Sequence, residues 1–77
     1  MEKEQREALI DQLDRSFQAM PRWVKIATKH AMGAPKNNPE TGAPFTSFRE
    51  VISVSSDETL ETLRDDFDDN GDLLPAA

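Results

Sequence analysis

Leu9, Ile10, Leu13, Phe17 and Met20 recur at spacings of three and four, which lays them along one face of a helix spanning residues 2–20. The acids Glu2, Glu4, Glu7 and Asp11 stand early in it and Arg15 late, in the sense the helix dipole favours. Pro21 ends that helix and suits the first position of the next, residues 21–32. There Trp23, Ile26, Ala27 and His30 share a face, Arg22, Lys25 and Lys29 lie opposite, and Gly33 is placed to cap the C-terminus. Trp23, the only tryptophan, is expected at the centre of the core.

The periodicity then stops. Residues 33–45 hold Gly33, Pro35, Pro39, Gly42 and Pro44, and the Asn-Pro-Glu-Thr-Gly stretch at 38–42 has turn chemistry. A loop this long in so short a chain is expected to be either mobile or functional. Residues 46–54 fit a capped helical turn or two, with Ser47 and Glu50 at capping-box spacing and Phe48, Val51 and Ile52 on one face. The β-branched run 51–54 also suits a short strand, but a lone strand has nothing to pair with. A last helix over 56–69 follows from Ser55 and Glu58 as a capping box, with Leu60, Leu63 and Phe67 as its apolar stripe. Asn70 and Gly71 stop it, and the tail at 70–77 frays unless Leu73 and Leu74 dock.

The resulting expectation is an all-α fold in one domain, 1–77. It is a small three- to four-helix bundle, or a helical hairpin (1–32) with a third helix across it, interrupted by the loop at 33–45. Hydrophobic residues make up 36% of the chain and charged ones 31%, lean for a globular domain but not a disordered composition. The chain has no cysteine, no apolar run of membrane-spanning length and a polar, acidic start. These features favour a soluble, cytoplasmic protein. A domain this small with apolar stripes is also a candidate to complete its core as a homodimer.

Charge changes the picture more than composition does. The net charge is −6, which argues against direct binding to nucleic acid or to anionic membranes. That charge is segregated. Residues 15–36 carry Arg15, Arg22, Lys25, Lys29 and Lys36 with no acid, whereas residues 57–72 carry eight acids against Arg64 alone. The acidic stretch is therefore −7 and the remainder about +1. Two readings follow. The acidic helix could lie along the basic one and form weak surface pairs. Alternatively Glu58, Glu61, Asp65, Asp66, Asp68, Asp69 and Asp72 form a surface for a basic protein partner, extending to mimicry of a nucleic-acid backbone, with Arg22, Lys25 and Lys29 as a secondary basic face.

Residues 66–73, Asp-Phe-Asp-Asp-Asn-Gly-Asp-Leu, resemble the opening of an EF-hand calcium loop. The resemblance implies Asp66, Asp68 and Asn70 as oxygen ligands around the turn at Gly71. It covers eight residues, and the position where that family carries a bidentate Glu is Ala77. Residues 22–30 resemble a segment of small phage helical-hairpin proteins that sequester cyclic nucleotides. The Pro/Gly-rich loop after Gly33 departs from that pattern, so no nucleotide site is carried over. His30 is the only histidine and has no acid or nucleophile in a recognisable pattern beside it. No phosphate-binding loop or metal-ligand cluster of known spacing is present, so no enzyme activity and no cofactor are expected. The function expected is that of a small interaction protein, of the phage or mobile-element type, that regulates or inhibits a larger basic or nucleic-acid-binding protein. An antitoxin-like or transcription-linked module whose acidic C-terminal part folds on its partner is the alternative, and a small-ligand or calcium binder the third.

Overall fold

The computed structural model describes residues 1–76 and contains four helices: α1 (Lys3–Ala19), α2 (Arg22–Met32), α3 (Phe48–Ser53) and α4 (Asp57–Asp69). The protein is all-α, and no helix among the described residues is long and apolar enough to cross a membrane. Leu9, Ile10, Leu13, Phe17 and Met20 are buried, as their spacing predicts. Against this stripe pack both α3, through Phe48 and Ile52, and α4, through Leu60, Leu63 and Phe67. The Phe17 and Phe48 rings stack at 3.9 Å between centroids, and Phe67 continues the series at 6.5 Å from Phe48.

Residues 46–54 resolve in favour of the helix. The Ser47 hydroxyl accepts the Glu50 N–H at 3.1 Å, and the Glu50 carboxylate accepts the Thr46 N–H at 3.2 Å. That leaves the β-branched run inside a capped helix and its end, with Ile52 fully buried. The start of α4 differs by one position from the predicted cap. Ser56, not Ser55, accepts from the Thr59 N–H at 3.2 Å. Ser55 instead bonds the carbonyl of Val51 through its hydroxyl and takes the Arg6 guanidinium on its own carbonyl.

The expectation for Trp23 is overturned. It is 74% exposed, Ile26 is 58% exposed, and α2 buries no residue. The physical reason lies in the helical wheel. Val24, Thr28 and Met32 point toward the core, and Trp23, Ile26 and His30 lie on the outward side. Only Val24 and Met32 reach the edge of the core cluster. Within the stretch 1–32, α2 meets the core only at its edge, because α1 gives most of its apolar stripe to α3 and α4.

The tail docks. Leu73 packs against the core, and the Leu74 N–H donates to the Ser16 hydroxyl at 2.9 Å. Ser16 is fully buried among apolar residues and donates in turn to the Gln12 carbonyl at 2.7 Å, so both its roles are satisfied. The Gln12 amide and the Arg15 guanidinium hold the carbonyls of Leu74 and Pro75. The loop at 33–45 is also built. Asn37 and Pro44 form an isolated antiparallel bridge, the Asn38 N–H reaches the Ala43 carbonyl at 2.8 Å, and the buried Asn38 side chain accepts from the Glu40 N–H at 2.8 Å.

These positions predict an inverted order of sensitivity. Removing one methyl group, Ile52→Val, should cost about 1 kcal/mol and lower the melting temperature by about 4–8 °C. Trp23→Ala should stay within about 0.5 kcal/mol of the parent despite the far larger truncation. Thermal unfolding followed by circular dichroism checks both.

Candidate functional site

The acidic residues of α4 follow from the same stripe that anchors it. Leu60, Leu63 and Phe67 occupy one side, so at about 100° per residue the carboxylates are displaced around the opposite half of the helix. Glu58, Glu61, Asp65, Asp66, Asp68 and Asp69 are exposed and Asp72 half-buried. Among the described residues the ion pairs are Asp57 with Arg6 and the Met1 ammonium, Arg49 with Asp11 and Asp14, and Arg64 with Asp65 at 3.6 Å. None joins α4 to α2. The expectation of weak pairs between the acidic and basic helices is therefore not met. The cause is rotational: the Lys25 and Lys29 ammonium groups each stand 5.8 Å over the Phe17 ring, on the side of α2 turned away from α4.

Between α2 and α4 the molecule opens into a cleft of about 510 Å³. Its floor is the edge of the core: the buried Met20, Leu63 and Phe67 and the half-buried Val24. One wall is the i, i+4, i+8 ridge of α2, Trp23, Ala27 and Ala31, and it carries no charge. The other is the polar ridge of α4, Glu58, Thr59, Thr62, Asp66 and Asn70, with Asp72 at the end. The acids predicted as one surface thus divide. Glu58, Asp66 and Asp72 border the cleft; Glu61, Asp65, Asp68 and Asp69 do not line it. Sequence reasoning missed the cleft itself, because the same α2 stripe read as core. The available signal was Ala27 and Ala31, side chains too small to fill the space between two helices.

The structure does not bring the calcium-loop residues together. Asp66 and Asp68 lie inside α4, two residues apart and so about 200° apart around the axis, on opposite sides of the helix. The following turn is a helix terminus. Gly71 adopts φ 74°, and the Asp72 and Leu73 N–H groups both bond the Phe67 carbonyl, at 2.8 and 3.1 Å. The Asp66, Asp68 and Asn70 side chains are therefore not turned toward one point. No group of three or more His, Cys, Asp or Glu side chains that could hold a metal ion occurs among the described residues. His30 is exposed on the outward side of α2.

Comparison with protein-family models, with curated proteins and with solved structures returns no match.

One acid of the stretch has a purely structural task. Asp57 begins α4, 3.1 Å from the Met1 ammonium and 2.6 Å from the Arg6 guanidinium, and these two, in that order, lower its pKa below the ordinary carboxylate value. A lowered folded-state pKa contributes stability that is present above the unfolded value near 3.9 and disappears as pH falls through the folded one. Asp57→Asn should therefore lower the melting temperature at pH 7, and the gap to the parent should close as pH drops below about 4. Paired melting curves between neutral and strongly acidic pH measure it.

Proposed function

We propose that this chain is a small, non-enzymatic interaction protein that binds and regulates a larger protein through the acidic side of α4 and its cap. The single observation that carries the reading is the row of exposed carboxylates without cationic partners. Among the described residues, of Glu58, Glu61, Asp65, Asp66, Asp68, Asp69 and Asp72 only Asp65 has an ion-pair partner, its own neighbour Arg64. Like charges this dense on one helix repel and cost stability, so a surface that keeps them is suited to a use outside the fold. The partner that suits it is a basic surface, including the phosphate-facing side of a nucleic-acid-binding protein.

The surface is preformed. Leu60, Leu63 and Phe67 fix α4 to the core, and Ser56 caps it, so the carboxylates hold a set spacing before any encounter. That favours a rigid recognition surface over an acidic segment that orders only on its partner. Association of this kind is steered by charge, fast at low ionic strength and weakened by salt.

The test is capture of basic partners from a nucleic-acid-free extract, followed by rate measurements on the captured protein. Reversal of Asp65, Asp66, Asp68 and Asp69 to Lys should lower the association rate by about 10- to 1,000-fold at low salt, with the helical circular dichroism unchanged. A complex indifferent to both the reversal and added salt would sink the proposal.

A further inference from the structure

The cleft between α2 and α4 is made of two unlike walls, and that asymmetry specifies what fits it. We infer that it is the seat of an amphipathic helix of the partner, one with large apolar side chains on one face and Lys or Arg along the flank that meets α4. This inference rests on the reading of α4 as a partner surface and adds where, and by what kind of segment, the partner is held.

Three observations carry it. The first is shape. The α4 wall runs from Glu58 to Asn70, a rise of about 18 Å, which matches about three turns of a docked helix. A helix laid there places anchors at i, i+3 or i+4, and i+7 over the floor of Met20, Val24, Leu63 and Phe67. The small Ala27 and Ala31 leave room for its backbone to approach.

The second is apolar surface left without a partner inside the chain. Trp23 is 74% exposed at the rim of the cleft. A large, stiff aromatic side chain at the edge of an apolar trough is the residue type that dominates binding energy at interfaces. The chain's own apolar tail does not fill the trough, because Leu74 is tied to Ser16 on α1.

The third is charge complementarity. Among the described residues, Glu58, Asp66 and Asp72 border the cleft and make no ion pair, and no Lys, Arg or His lines it. Two cations of α2, Lys25 and Lys29, stand over the Phe17 ring on the other side of the helix, and Arg22 does not line the cleft. An acidic flank would be repelled and a neutral one would leave three carboxylates partly desolvated and uncompensated. A basic flank satisfies them.

The experiment uses the full chain and a synthetic helical peptide of about five turns, with Leu at i, i+3, i+4 and i+7 and Lys on the flanks. A second peptide replaces each Lys with Glu. Trp23, the only tryptophan, reports directly: its emission should shift to the blue on titration with the basic peptide and not with the acidic one. Amide shift perturbations should fall on Ala27, Ala31, Thr62 and Asp66. Thr62→Phe fills the cleft without altering charge and at an exposed position, so it should fold and weaken binding at least tenfold. Glu7→Gln, which removes an exposed acid on α1 away from both the cleft and the α4 carboxylates, should change affinity less than threefold.

Perturbations on Glu61, Asp65 and Asp68 with none on α2, and parent-like binding by Thr62→Phe, would overturn the cleft while leaving acidic recognition by α4 intact. Equal binding of the acidic peptide, or no binding of either, overturns it too. A blue shift of Trp23 that grows with protein concentration alone, together with a dimer in sedimentation, would identify a second copy as the occupant and equally overturn it.

Discussion

The stack of Phe17, Phe48 and Phe67 is the contact on which the remaining geometry depends. Each ring belongs to a different helix, and the rings meet where α1, α3 and α4 converge. With α1 serving as the common support, its single apolar stripe is used up by α3 and α4. Little of that stripe is left for α2, which meets only Met20 and the outer face of the Phe17 ring. The second helix is consequently held at its margin, by Val24 and Met32 and by two lysines over the outer face of Phe17. The cleft is the space that this displacement leaves.

The same constraint explains why charge segregation in the sequence does not become charge pairing in the structure. Basic and acidic helices do lie on either side of one trough, but their charged sides are rotated apart. Lys25 and Lys29 turn toward α1, and the carboxylates of α4 face the trough or the outer surface. The ion pairs that form instead tie α1 to the short helix and to the start of α4, through Arg49 with Asp11 and Asp14 and through Arg6 with Asp57. They hold the three-helix core in register, and the seven carboxylates proposed for recognition stay outside that network; Asp65 pairs only with its neighbour Arg64 among the described residues.

Much of the fold was legible because its elements are periodic or capped. The stripes of α1 and α4 name their core residues, and Ser47 with Glu50 marks a helix where β-branched residues would suggest a strand. What was not legible is tertiary. Amphipathicity places Trp23, Ile26 and His30 on one side of α2 but cannot say whether that side meets a neighbour or solvent. The tail docks through the buried Ser16 hydroxyl, Gln12, Arg15 and the packing of Leu73, and no local pattern distinguishes that serine from any other helical one. The site was half visible. Its acids could be counted, but the opposing wall is built from residues that read as core, and the first half of the calcium-loop resemblance, residues 66–69, has a helical backbone.

The marginal placement of α2 separates two demands that small proteins usually have to meet with the same residues. Stability resides in α1, α3, α4 and the docked tail, and the wall presented by Trp23, Ala27 and Ala31 contributes little to it. Mutations on that wall are therefore close to neutral for folding and can accumulate without the loss of structure that most substitutions in so small a core would bring. Specificity on such a scaffold can drift, or be redirected by selection, one wall at a time, while the opposing helix keeps its charge and its anchor.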